Sequence, residues 1–207
     1  MNIKLEKCRE EDLPKTNIQL VRCSEENLPK TNIQLVRCKD EQLPKILEIY
    51  TEAFPKEERK PFEVICEHNR IGKAELSGVL IDGEVSGMVH TYLFDGFAMV
   101  DYFAIHKDKR NLGAGTRVID LIREKYKGYK IYLEIEDASL GEMQKRRLEF
   151  YKRCGLCQVG TYVNLFGVDM ELLAFDDFKV TFSEYFALYS YMGGEEFAER
   201  NVKERKI

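Results

Sequence analysis

Two Asp-Gly pairs, Asp82-Gly83 and Asp95-Gly96, set the tightest limit on how this chain can fold. They separate residues 76–81, 85–94 and 97–105, runs rich in strand-forming residues. A two-residue hairpin needs positive φ at both central positions, and Asp-Gly adopts that geometry at low cost. The sequence therefore predicts three consecutive antiparallel strands.

After the third strand a polar, basic loop leads into a helix predicted at about residues 113–126. A strand follows at residues 130–136, then a helix at about 140–153 ending at Gly155, which is placed for a left-handed C-cap. Strands near 158–166 and 169–175 flank Gly167. Thr181 and Glu184 have capping-box spacing and open an aromatic-rich helix, closed by Gly193-Gly194 and followed by a charged tail. Upstream, residues 55–61 (PKEERKP) read as a charged loop and residues 62–70 as a short helix. Hairpins followed by alternating strands and helices make an α/β chain with a mixed, α+β type of sheet covered by helices.

The N-terminus repeats itself. Residues 2–16, 17–31 and 32–46 are consecutive 15-residue copies, each a short alternating strand, an acidic helix start and Leu-Pro-Lys. Only the third continues into an apolar helix pattern, through Leu43, Ile46, Leu47, Ile49, Tyr50 and Phe54. We read residues 1–31 as a tandem extension, residues 32–175 as the working domain and residues 176–207 as a helical C-terminal extension.

A net charge of −4 lacks the basic footprint of a nucleic-acid binder. No apolar run reaches the roughly 20 residues of a membrane helix, and the N-terminus lacks a secretory signal pattern. Cys154-Gly155-Leu156-Cys157 is formally a Cys-x-x-Cys, but no second pair is nearby to complete a zinc site. The expectation is a reduced, cytoplasmic protein with no metal, no nucleic-acid partner and no membrane contact.

The chemistry concentrates in Arg110-Asn111-Leu112-Gly113-Ala114-Gly115-Thr116, between the third strand and the helix. Free N–H groups at a helix N-terminus attract anions, and glycine lets the backbone approach a phosphate. Lys107, Lys109 and Arg110 add positive charge. The ligand should therefore carry phosphate or pyrophosphate. A P-loop is ruled out because no lysine follows Gly115. A dinucleotide turn needs a third glycine where Val118 stands, although Glu134 and Glu136 lie near the position of its acidic ribose ligand.

A second motif, Phe150-Tyr151-Lys152-Arg153-Cys154-Gly155-Leu156, ends the helix before Cys157. The Arg-x-x-Gly-x-Gly loop and the later Phe-Tyr-x-x-x-Gly-Leu, in this order and on these elements, resemble the two cofactor motifs of the GNAT N-acetyltransferase superfamily. The resemblance covers about residues 32–175 and implies a central twisted, mostly antiparallel sheet with helices on both faces. It also implies acetyl-CoA as co-substrate. The backbone of Phe103, Ala104 and Ile105 would line the pantetheine arm, residues 110–116 would cradle the pyrophosphate, and Gln144 stands where an asparagine often contacts the cofactor. Strands on either side of the loop would splay to leave a slot for the acyl group.

Acetyl transfer to an amine needs a base, because an alkylammonium of pKa near 10 is about one part in a thousand neutral at pH 7. It also needs an acid for the departing thiolate. Tyr151 occupies the family position for that acid; packing of a helix-end aromatic is the alternative. Two carboxylates compete for the base. Asp101 is placed by simple alternation on the face of Phe103 and Ile105, and Glu134 interrupts an otherwise apolar strand. His90 reads as a satisfied sheet histidine and His106 as a turn residue. The aromatics of residues 182–191 suit core packing or a homodimer contact, with a lid over the acceptor site as the sharper alternative. The expected partner is a small-molecule or protein amine. A non-catalytic acyl-CoA-binding module and an NAD-type oxidoreductase are the rival readings.

Overall fold

The structure is a computed structural model that describes residues 31–110, 113–176 and 178–206. Residues 1–30, which hold the first two sequence copies up to Thr31, lie outside the described residues together with Asn111 and Leu112.

The third copy forms the edge strand β1 (Ile33–Arg37) and leads into α1 (Leu43–Ala53). Ile46, Ile49 and Tyr50 of α1 are buried one turn apart, as the apolar pattern requires, while Leu47 is exposed. The charged loop follows, then α2 (Phe62–Arg70). The three predicted strands are β2 (Ala74–Ile81), β3 (Glu84–Phe94) and β4 (Phe97–Ile105). Both Asp-Gly pairs have positive φ at both residues, the geometry that a tight hairpin requires.

The glycine loop leads into α3 (Ala114–Lys125), followed by β5 (Lys130–Glu136), α4 (Glu142–Arg153), β6 (Cys157–Leu165), β7 (Val168–Ala174) and α5 (Phe182–Gly193). Gly155 takes positive φ just past α4, as its C-cap position predicts. The Thr181–Glu184 capping box is formed. The charged tail is a misreading: it folds as α6 (Glu195–Asn201) and β8 (Val202–Glu204), and β8 pairs with β6. Ala198 and Val202 are buried there, too few apolar positions to register as a pattern.

The eight strands run in the order β1-β2-β3-β4-β5-β7-β6-β8, antiparallel except for the β4–β5 pair. One face carries α3 and α4 over Ala98, Val100, Ile131, Leu133 and Ile135. The other is covered by α1 and α2 at the β2–β4 end and by α5 and α6 toward β6 and β7. Helices on both faces of a mostly antiparallel sheet match the expected fold.

Candidate active site

The site grows from one irregularity. β4 and β5 pair in parallel from Phe97–Lys130 to Val100–Leu133 and then part. Beyond that point β5 continues against β7, and β4 continues against β3. The edge of β4 facing β5 therefore offers backbone N–H and C=O groups without a ladder partner from Asp101 to Ile105. Asp101 as a residue is partly exposed while its side chain is only 4% exposed, so the exposure belongs to its main chain.

A β-bulge accompanies the parting. His90 pairs with Tyr102 and Thr91 with Val100, leaving Asp101 as the extra residue. The bulge corrects the expected facing of Asp101. Phe103 and Ile105 pack toward α3 and α4, whereas Asp101 turns with Tyr102 to the opposite face. There Lys60 Nζ donates to its Oδ1 at 2.6 Å, and the His90 ring meets Oδ2 through Nδ1 at 3.0 Å. Burial alone would raise the Asp101 carboxyl, but Lys60 and His90 outweigh it and hold the group below its ordinary value. His90 is also pushed below its ordinary value, chiefly by burial, so its ring is held neutral. With its Nδ1–H given to Asp101, its buried Nε2 has no hydrogen-bond partner among the described residues. Lys60 is pinned from the loop side as well: its N–H donates to the Tyr102 hydroxyl, and its carbonyl accepts from Tyr50. Its ammonium also lies 5.2 Å from the Tyr92 ring centroid and 5.3 Å from that of Tyr102.

Glu134, across the gap on β5, faces the same side. Its two oxygens accept from the hydroxyls of Tyr185 and Tyr189, the latter at 2.7 Å. Crowding by protein raises its carboxyl to about 7 against the pull of those two hydrogen bonds. The residue nonetheless keeps partial solvent access.

Behind the other face, Tyr151 lies on α4 in the core shared with α3. Its phenol is pushed up to about 12 by burial, with the Arg147 charge acting the opposite way. No hydrogen bond among the described residues uses its hydroxyl. Gly115 explains how α4 comes so close. A Cβ there would stand 3.2 Å from the Phe150 ring, so only glycine fits without displacing it. Thr116 and Cys154 meet at the same contact, 3.8 Å apart.

At the α3 N-terminus, Gly113 takes φ +73°, and among the described residues nothing beyond its chain neighbours lies within 4 Å of where a Cβ would be. The first intrahelical bond runs from Arg117 N to Gly113 O, so the N–H groups of Gly113, Ala114, Gly115 and Thr116 have no acceptor within the helix. Arg110 is exposed and folds back, its Nε donating to Ile105 O at 2.8 Å. Among the described residues, Lys107 and Lys109 make long pairs with Glu52 and Glu84, at 3.6 and 3.9 Å. Such surface pairs are worth about 0–1 kcal/mol and yield readily to a phosphate. These groups fit a pyrophosphate. Gln144 is engaged elsewhere, its amide donating to Glu136 at 2.8 Å beside Arg147 at 3.1 Å. Arg147 is thus partly tied down while its side chain stays 40% exposed.

Among the described residues, no three His, Cys, Asp or Glu side chains cluster as metal ligands would, and no helix is long and apolar enough to cross a membrane. A surface groove of about 480 Å³ lined by Arg123, Tyr126, Tyr129 and Asp176 lies toward the far end of α3 and holds none of this constellation.

Residues 43–156, more than half the chain, match the acetyltransferase (GNAT) family. The chain belongs to that family. This places it among acetyltransferases and replaces the dinucleotide reading, whose missing glycine is the buried Val118. Among solved structures, the GNAT protein is similar to one assigned to the GNAT acetyltransferases from Bacteroides thetaiotaomicron. That match has 29% identity and a TM-score of 0.63, covering 72% of this chain and 88% of that one. It also shares its fold with a GNAT acetyltransferase from Elizabethkingia anophelis solved with acetyl-CoA bound, at 18% identity and TM-score 0.52, over 70% and 98% of the two chains. A third match is the ribosomal-protein-S18-alanine N-acetyltransferase of Escherichia coli, at 14% identity and TM-score 0.56, over 70% and 93%. A search of curated proteins found no match.

The sequence reading missed Lys60 and the two tyrosines on Glu134. Their only signals were the charged loop and the four-residue spacing of Tyr185 and Tyr189.

Proposed function

We propose that this GNAT acetyltransferase uses acetyl-CoA to acetylate the primary amine of a small-molecule or protein acceptor, by direct attack within a ternary complex and without a metal. The observation that carries this reading is the parting of β4 and β5 after Val100 and Leu133. It leaves an open strand edge between a phenol on one face and two carboxylates on the other. The open N–H groups at the start of α3, the room in front of Gly113 and the cations of the loop suit the pyrophosphate. The edge of Asp101, Phe103 and Ile105, without a ladder partner and with only the Ile105 carbonyl met by Arg110, suits the amide-bearing arm of the cofactor.

Of the two carboxylates, Glu134 is the better base. Asp101 is already paired with a cation and held ionised, so it is a poor proton acceptor. Among the described residues Glu134 forms no ion pair, Lys60 acting on it only from a distance, and its proton affinity near neutrality is matched to the task. One proton of the acceptor's ammonium passes to Glu134, the freed nitrogen lone pair forms the new C–N bond at the thioester carbonyl carbon, and the second proton leaves that nitrogen for solvent as the amide forms. The C–S bond then breaks, and the sulfur takes the proton of Tyr151. Burial raises that phenol, but the same burial raises the proton affinity of the thiolate, so donor and acceptor stay matched. Arg147 nearby favours the phenolate left behind.

The test is release of CoA thiol from acetyl-CoA across a panel of amines, with Glu134→Gln expected to lower kcat about 10²–10⁴-fold. Amine-dependent release that survives unchanged in Glu134→Gln would remove this carboxylate from the reaction.

A further inference from the structure

α5 lies beyond residue 156, where the family match ends. Its start is closed by the Thr181–Glu184 capping box, and its buried face packs on the sheet through Tyr185, Leu188, Tyr189 and Met192. Tyr185 and Tyr189 stand one turn apart on its inner face, both fully buried, with ring centroids 4.8 Å from each other. A buried phenol needs a partner for its hydroxyl, and a backbone carbonyl would serve for packing alone. These two instead converge on one carboxylate, each taking a different oxygen of Glu134 at the mouth of the gap between β4 and β5.

We propose that α5 completes the active site, with Tyr185 and Tyr189 as positioning residues that hold the Glu134 carboxylate ready to accept the acceptor amine's proton. This rests on the reading of Glu134 as the base. Each carboxylate oxygen has two lone-pair sites, so one donated bond per oxygen leaves capacity for the incoming proton. The phenols also favour the ionised form against burial, which by itself would keep the group protonated at neutral pH. The other groups facing Glu134 are Asp101 of β4, which opposes its ionisation, Lys60 of the 55–61 loop, which favours it, and the neutral phenol of Tyr132 on its own strand. The proton is gained from the amine nitrogen and passed to solvent after product leaves.

The experiment compares wild type, Tyr185→Phe, Tyr189→Phe and Glu134→Gln in the full chain. The carboxyl titration of Glu134 is followed by carbon NMR, assigned by its disappearance in Glu134→Gln, together with the pH profile of kcat/KM for the fastest amine of the panel. Phenylalanine keeps the ring, so the fold should persist. Each hydroxyl removed should raise the Glu134 midpoint by about one pH unit. The acid limb of kcat/KM should move with it, giving about a tenfold loss below the limb and recovery on the alkaline plateau. Two Phe variants with wild-type titration, while Glu134→Gln loses the limb, would overturn the role of α5 alone. A Glu134→Gln enzyme that keeps the limb would overturn the base assignment, and this proposal with it.

Discussion

Asp101 and Glu134 face the same side of the sheet from strands that have just parted, yet only Asp101 meets a cation: Lys60 Nζ lies 2.6 Å from its Oδ1, while Glu134 meets two phenols. The consequence is a division of labour. Asp101 anchors the 55–61 loop to β4, and Glu134 is left free to exchange a proton.

That anchor can be tested by stability. Lys60→Met leaves a buried carboxylate without its cation and should cost about 3–5 kcal/mol. Adding Asp101→Asn should restore most of the loss. The Asp101 carboxyl is depressed in the folded state, so its contribution is complete above the ordinary aspartate value near 4 and is lost as pH falls through the lower folded value. Urea unfolding at several pH values should find wild type losing stability in that acid window more steeply than the double variant.

Tyr151→Phe keeps the ring in the α3–α4 core and removes one hydroxyl. If that hydroxyl protonates the departing thiolate, kcat should fall about 10²–10⁴-fold. The Kd for acetyl-CoA should change by less than about tenfold, roughly 1.4 kcal/mol. Unchanged kcat, with chemistry shown to be rate-limiting by single-turnover kinetics, would reduce Tyr151 to packing.

Gly113→Val addresses the phosphate turn. The free protein has room for the side chain, but a β-branched residue at φ +73° is strained by about 1–3 kcal/mol and would stand where a phosphate should lie. Acetyl-CoA should raise the melting temperature of wild type through binding to the native state and should fail to raise that of Gly113→Val. An equal shift in both proteins would place the pyrophosphate elsewhere.

A chain that begins at Asn32 should fold and bind acetyl-CoA as the full chain does. Asn32 N donates to Asp82 Oδ1 at 2.9 Å, and its carbonyl accepts from Asp82 N, so the chain is tied immediately before the edge strand begins. A new amino terminus there would face the same carboxylate. Insoluble protein, or loss of acetyl-CoA affinity by calorimetry, would show that residues 1–31 are needed.

The sequence made the hairpins legible because Asp-Gly chemistry is local, and it made the α3 turn legible because helix-end anion sites depend on a few adjacent residues. The bulge at Asp101 was hidden. One extra residue in a strand leaves the composition of FAMVDYFAI unchanged and alters only which face each side chain takes. The partners of Glu134 stand 51 and 55 positions away, and no local pattern encodes a contact between β5 and α5. Lys60 was equally unreadable, since a lysine in PKEERKP looks solvated until the loop is laid across Tyr92 and Tyr102.

The most direct test of the whole account is CoA thiol release from acetyl-CoA over alkylamines, amino sugars, polyamines and peptides with free N-termini, with product masses read alongside. The account predicts that at least one amine drives thiol release matched mole for mole by its acetylated product, and that acetyl-CoA but not NAD raises the melting temperature. Thermal stabilisation by acetyl-CoA with no turnover of any amine would instead mark a non-catalytic acyl-CoA-binding module. Stabilisation by NAD and none by acetyl-CoA would contradict the account outright.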